Sequence, residues 1–208
     1  MIQFTEKGIV IASKTTIIEF EGIRLVSLKD AVTGEEFLDR ALGVDAPGFE
    51  LLHQSGKLAP LGVHPIASRV TYTLLTDRIA EIVLNDWECD VSIRVSVDEA
   101  TGDIVLEPAA WTMQGGVAGL GLNVPGIRAD LEVVGPFQQG AKAPLSHPQM
   151  QGKDAAWPHS WEAGFLVFAG TESGFTVQAW DKDFIYKKVH IGHEKSAQTV
   201  GFFTLAHG

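Results

Sequence analysis

The stretch Val91-Ser92-Ile93-Arg94-Val95-Ser96-Val97 decides the fold class, because apolar and polar side chains alternate along it. A period of two places valine and isoleucine on one face of a β-strand, and serine and arginine on the other. Residues 98–103 supply turn-forming side chains, and Ile104-Val105-Leu106 follows as a second apolar run. The sequence therefore predicts an antiparallel hairpin over residues 91–106 that buries one face.

Similar patterns extend outward from this hairpin and predict ten or more strands. Many strands with short turns and no alternating helices favour packed antiparallel sheets. We therefore predict an all-β fold, specifically a large two-sheet antiparallel β-sandwich, or super-sandwich. Alternation or a short apolar run marks residues 16–20, 23–28, 70–74, 79–84, 165–168, 175–180, 184–191 and 198–205.

Three segments are predicted to be less regular. Residues 34–39 could form a short turn of helix. Residues 43–66 and 135–160 are interrupted by prolines and glycines and resist assignment to strands. Loops of this length inside a compact domain are often functional, which draws attention to the residues beside them.

The composition narrows the class of partner. The 208 residues fit one domain, and a net charge of −10 without a Lys/Arg cluster argues against nucleic acid and anionic membranes. A neutral ligand such as a sugar is compatible with this charge. Cys89 is the single cysteine, so an intrachain disulfide is excluded. Residues 1–7 lack the layout of a signal peptide, so we expect a cytoplasmic protein if Met1 is the native start.

An aromatic and acidic cluster is the main candidate for a binding site. It consists of Trp157-Pro158-His159-Ser160-Trp161-Glu162 and the later Trp180-Asp181-Lys182-Asp183. An indole offers a flat apolar surface for the C–H face of a sugar ring, and carboxylates or imidazole accept hydrogen bonds from hydroxyl groups. The predicted ligand-binding residues are therefore Trp157, His159, Trp161, Glu162, Trp180 and Asp181.

Alternatives remain open for these residues. Trp157 and Trp161 could instead pack in the core or at an interface. Glu162 could pair with Asp181 or Asp183 as the two carboxylates of a glycoside hydrolase, but both aspartates are also typical of solvated turns.

The other histidines and glycines predict no further chemistry. His190 and His193 lie three apart on a predicted strand, so they face opposite sides and do not favour a metal site. No nucleophile motif or phosphate-binding loop is present in the sequence. We accordingly predict no catalytic residue, no metal and no cofactor.

Several segments together resemble the N-terminal β-sandwich of large glycoside-hydrolase-like proteins, whose fold is similar to that of galactose mutarotase. The opening turn, the central hairpin and an aromatic–proline loop carry this resemblance, the last being similar to that of an uncharacterised family in the group. The segments are residues 25–30 with 33–38, residues 91–106, and residues 157–158 with 161–166, 174–175 and 180–181.

The resemblance implies that residues 1–208 form one β-sandwich domain that precedes a TIM barrel carrying the catalytic carboxylates. The expected function is a non-catalytic, carbohydrate-associated domain that supports or lines the sugar site, with a carbohydrate or a covalently linked catalytic domain as partner. One alternative is a self-contained aldose epimerase or small glycosidase acting through His159, Glu162 and Asp181. Another is a purely structural sandwich for assembly or adhesion.

Overall fold

The structure is a computed structural model that describes residues 1–43, 45–62, 69–86, 89–113, 115–137, 140–180, 185–194 and 197–205. Every regular element within these ranges is a β-strand, so none of them is a helix that could cross a membrane. The strands are β1 (Ile2–Phe4), β2 (Gly8–Ala12), β3 (Thr16–Glu21), β4 (Arg24–Asp30), β5 (Phe49–His53), β6 (Leu58–Leu61), β7 (Arg69–Thr76), β8 (Ile79–Asn85), β9 (Asp90–Val97), β10 (Ile104–Trp111), β11 (Val117–Pro125), β12 (Glu132–Gly135), β13 (Ala141–Pro144), β14 (Lys153–Trp157), β15 (Phe165–Ala169), β16 (Gly174–Gln178), β17 (Lys187–Glu194) and β18 (Ala197–Leu205).

Hydrogen bonding groups the described strands into four antiparallel sheets. Sheet I is β1-β2-β3-β4, sheet II is β10-β9-β8-β7, sheet III is β14-β17-β18-β11-β5-β6, and sheet IV is β13-β12-β15-β16. The all-β, antiparallel prediction is confirmed. The predicted division into two sheets is not what is found, because the strands divide into four propeller-like blades. Alternation shows that a strand has one buried face, but it does not show how many sheets share the core.

One contiguous core joins all four sheets. Phe20 of sheet I, Ile93 of sheet II, Ile191 of sheet III and Phe168 of sheet IV all belong to it, and each is almost fully buried. Burial of such a side chain stabilises the fold by about 1.5–3 kcal/mol relative to exposure. Burial of the inward face of each sheet therefore supplies most of the stabilisation of the fold. The outward faces remain available for contact with ligands or partners.

The predicted hairpins are confirmed, and the central one is longer than expected. β9 and β10 pair from Val97 with Ile104 to Asp90 with Trp111. The predicted strand over residues 184–191 corresponds to β17, which begins at Lys187, while Phe184 lies outside the described residues.

The predicted helical turn over residues 34–39 is wrong. Glu36 forms a β-bridge with Lys29, and Leu38 forms one with Ile127. The amide of Phe37 donates a hydrogen bond to the carbonyl of Leu28 at 2.9 Å. Pairing with distant backbone therefore takes the hydrogen-bonding groups that a helical turn would use.

The two segments expected to be irregular contain four strands. β5 and β6 lie within residues 43–66, and β13 and β14 lie within residues 135–160. Proline removes a backbone donor, so within a sheet it is tolerated mainly on an edge strand. Pro60, Pro108 and Pro144 lie in β6, β10 and β13, and each of these strands is a sheet edge. These three prolines thus mark edge strands and do not exclude strands, whereas Pro125 is the last residue of the central strand β11.

Candidate functional site

Trp157 ends β14 at the edge of sheet III and is half-buried. It pairs across the sheet with Lys187, whose Nζ lies 5.1 Å from the centroid of the indole ring. Lys187 is only 7% exposed, and its Nζ donates a hydrogen bond to the carbonyl of Ile185 at 2.8 Å. Such a cation–π contact stabilises both groups when they are shielded from water. One face of the Trp157 indole is therefore covered by Lys187, a residue that the sequence analysis did not select.

The turn after β14 presents His159 to solvent. The hydroxyl of Ser160 accepts a hydrogen bond from the amide of Ala156 at 3.0 Å, and the amide of Ser160 donates to the carbonyl of Ala156 at 2.9 Å. These two bonds close the turn across Pro158 and His159. Both residues at the tip are exposed, so the imidazole is accessible to a ligand.

Trp161 follows this turn and is fully buried, at 0% exposure. Its Nε1 donates a hydrogen bond to the carbonyl of Phe165 at 3.0 Å, and its ring centroid lies 6.3 Å from that of Phe202. A buried indole with its one donor satisfied is a packing residue. This position matches the core-packing alternative for Trp161 and leaves it no surface for direct contact with a ligand.

Glu162 and Trp180 flank one end of sheet IV. Both side chains are exposed, and that of Trp180 is 81% exposed. The amide of Ala179 donates to the carbonyl of Gly164 at 2.7 Å, which extends the β15–β16 pairing towards these two residues. The chain therefore brings Trp180 back beside the segment that carries Glu162. Asp181, Lys182 and Asp183 lie outside the described residues.

A charged cluster on the opposite face of β14 was also missed by sequence reasoning. Oδ1 of Asp154 lies 3.0 Å from Nζ of Lys188 and 2.9 Å from Nδ1 of His190. Burial raises the pKa of Asp154, but hydrogen bonds from Lys188 and His190 outweigh it and hold that pKa below its usual value. The alternation of Lys188 and His190 hints at a shared face, but only the β14–β17 register reveals their partner.

The rim after β14 comprises residues 158–162, which follow β14, together with Trp180 beyond the end of β16, and it exposes three chemically different groups. They are the indole of Trp180, the imidazole of His159 and the carboxylate of Glu162. Within the part of the chain that the structure describes, no group of three or more His, Cys, Asp or Glu side chains is arranged to hold a metal ion. The arrangement combines an apolar stacking surface with hydrogen-bond acceptors, which suits binding of a polar, uncharged ligand.

Comparisons with known proteins identify a shared fold. No family model and no curated protein matches the chain. Among solved structures, the chain is similar to the galactosidase domain of alpha-galactosidase-sucrose kinase, with a TM-score of 0.63 and 11% sequence identity. The match covers 99% of this chain and 38% of that one, so the chain spans well under half of the neighbour's length. Essentially the whole chain therefore has the fold of one part of that larger structure.

Proposed function

We propose that the chain is a non-catalytic, carbohydrate-associated domain of a glycoside-hydrolase-like protein. One observation carries the proposal: 99% of the chain matches part of a galactosidase domain in fold. In this proposal the four antiparallel sheets together play the part of the galactose mutarotase-like β-domain of such proteins. The domain contacts sugar itself and helps to line the sugar site of a linked catalytic domain.

The composition of the rim after β14 supports this proposal. The indole of Trp180 is 81% exposed. It therefore presents a large apolar surface to solvent and does not serve to pack the core. His159 and Glu162 supply acceptors for sugar hydroxyl groups at the same rim. Trp157 is half-buried and packs against the core beside this rim. Trp161 anchors the segment after β14 in the core through its hydrogen bond to the carbonyl of Phe165.

The charge of the chain supports an uncharged ligand. A net charge of −10 repels phosphate-rich and acidic partners, whereas a neutral sugar is indifferent to it. The proposal assigns catalysis to a linked domain, in line with a match that covers only 38% of the neighbour's chain.

The test is a pair of assays on the full chain. Calorimetric titration with raffinose and other neutral oligosaccharides measures binding, and nitrophenyl glycosides, including the α-galactoside, report turnover. The proposal expects saturable binding without turnover. Trp180→Ala is expected to weaken binding about tenfold, since a stacked aromatic contributes on the order of 1 kcal/mol beyond its buried area.

Leu42→Ala is the matched control, because Leu42 is an exposed apolar side chain in a turn outside the rim. It should bind as the unaltered chain does. Turnover of any glycoside by the purified chain would overturn the non-catalytic assignment. Absence of binding to every neutral oligosaccharide would overturn the carbohydrate assignment.

A further inference from the structure

A row of four polar or aromatic residues crosses sheet II at one end. Trp111 pairs with Asp90, Asp90 pairs with Asn85, and Asn85 pairs with Arg69. Directly paired residues of neighbouring antiparallel strands point to the same face. All four residues are exposed, so this row lies on the outward face of the sheet.

Trp111 has no role in the core of the fold. Its neighbour Ala110 packs against the core from the other face of β10, as do Leu106 and Ile104. The indole of Trp111 is 61% exposed although it ends a regular strand. This exposure leaves the indole face accessible to a ligand or a partner.

The acidic member of the row is held in place. Nδ2 of Asn85 donates a hydrogen bond to Oδ1 of Asp90 at 3.1 Å. This bond orients the carboxylate through its Oδ1 atom. Arg69, at the far end of the row, carries the charge opposite to that of Asp90, so the row as a whole is close to neutral.

A shallow depression opens beside Trp111. Its volume is about 620 Å³, within the range of small-ligand sites in proteins. Met113 is fully exposed at its border and offers a flexible apolar contact. The depression is lined by Asp90, Ala110, Trp111, Thr112, Met113, Gly116 and Val117.

We propose that this end of sheet II is a saccharide-binding site separate from the rim after β14. A neutral pyranose ring stacks its C–H face on the indole of Trp111, and a ring hydroxyl donates a hydrogen bond to the carboxylate of Asp90. Met113 contacts the edge of the ring. The inference rests on the proposed carbohydrate-associated function and assigns it a second set of contact residues.

Two features of this surface favour a neutral sugar as the ligand. An indole beside a single oriented carboxylate provides a stacking plane and an acceptor, which is what a polyhydroxylated ring requires. The near-neutral row supplies no cluster of cations for a phosphate and no cluster of acids for a cation.

The test uses the indole N–H resonances of the five tryptophans in the full chain, assigned by single Trp→Phe substitutions. Raffinose is titrated as the probe, and the shift of each resonance is followed. The inference expects the Trp111 resonance to shift saturably. It also expects Trp111→Ala to weaken the raffinose affinity of this site by about tenfold or more.

Asp90→Asn should also weaken binding, because one oxygen acceptor is replaced by a donor. Val105→Ala is the matched control: Val105 lies on β10, on the same outward face and three rows from Trp111. It should leave binding unchanged. Backbone amide spectra of each variant establish that the fold is retained.

The outcomes separate this inference from the proposed function. Shifts at Trp157 or Trp180 with an unmoved Trp111 would overturn the second site and leave the proposed function standing. A Trp111 shift that persists equally in Asp90→Asn would overturn the role of Asp90. No shift of any indole with any neutral saccharide would overturn both.

Discussion

The carboxylate of Glu35 holds the turn that contains Ser173, which lies 138 residues further along the chain. Oε2 of Glu35 accepts hydrogen bonds from the amide of Ser173 at 2.8 Å and from its hydroxyl at 2.9 Å. Oε1 accepts from the amide of Thr171 at 2.8 Å and lies 3.1 Å from Nη1 of Arg128. The segment that follows sheet I is thereby fastened to the β15–β16 hairpin of sheet IV.

The lowered pKa of Glu35 predicts that the fold loses stability in acid. Hydrogen bonds from the amide of Thr171 and from its neighbours in the turn lower the pKa of Glu35 from 4.5 to about 2. A carboxyl group with a depressed folded-state pKa stabilises the fold above its unfolded-state value, and that contribution is lost as the pH falls towards the folded-state value. The melting temperature should therefore decline between pH 4.5 and about 2.

Glu35→Gln should lower the melting temperature at pH 7, and its deficit relative to the unaltered chain should shrink across the same acid interval. Scanning calorimetry at several pH values measures both effects. Glu172→Gln, a change at the exposed side chain of the same turn, is the control and should alter little. A Glu35→Gln deficit that stays constant down to pH 2 would contradict the role assigned to the carboxylate.

Trp161 and Trp180 should respond oppositely to truncation. Trp161→Ala removes a fully buried side chain and should lower the free energy of unfolding by about 3–5 kcal/mol. Trp180→Ala removes an exposed one and should change it by no more than about 0.5 kcal/mol. Urea denaturation of both variants measures the difference, and equal losses would show that the burial of Trp161 has been misassigned.

The ring of Phe203 occupies the space that a side chain at position 121 of sheet III would need, so this position requires glycine. A Cβ atom at Gly121 would lie 2.3 Å from the ring of Phe203, much closer than van der Waals contact. Gly121→Ala should therefore destabilise the chain by about 1–3 kcal/mol, and adding Phe203→Leu should recover part of that loss. Gly115→Ala is the control, because a Cβ there meets no atom within 4 Å. Thermal unfolding that ranks the two alanine variants equally would refute this explanation.

The Asp154 cluster should contribute little to stability. Asp154→Asn removes the ionic partner of Lys188 and a hydrogen-bond partner of His190, but the Asp154 side chain is 52% exposed and the ion pair with Lys188 is screened by solvent. The expected loss is under about 1 kcal/mol, and it should shrink at high salt. Because the pKa of Asp154 is lowered, the contribution is present above the usual carboxyl value and disappears in acid. A loss independent of salt would indicate a buried role instead.

Local patterns predicted some, but not all, of the strands whose partners are adjacent in sequence. The hairpin of β9 and β10 could be predicted because alternation and turn residues lie within one short segment. β5 could not, although it forms a hairpin with the next strand, β6, because prolines and glycines interrupt the pattern of residues 43–66. Its second partner, β11, lies some 70 residues later, and no local pattern encodes that register. The glycines of β11, among them Gly119 and Gly121, further concealed a central strand, since glycine usually weakens strand patterns.

The same limit applies to the candidate site. The sequence singled out Trp157, Trp161 and Trp180 by composition, but it could not tell which indole is buried. That distinction depends on tertiary packing, since the Trp161 ring packs near Phe202, which lies some 40 residues later in β18. Residues 104–106 form a continuous apolar run, and no alternation follows it through residues 107–110. The outward position of the Trp111 indole therefore follows only from the register of β10 with β9.

The most direct test of the carbohydrate assignment is a glycan array probed with the purified full chain. The account predicts saturable retention on neutral glycans, a weaker signal for Trp111→Ala and for Trp180→Ala, and the weakest for the double variant. Retention on no neutral glycan would contradict the account. An undiminished signal from the double variant would also contradict it, because the two exposed indoles would then take no part in binding.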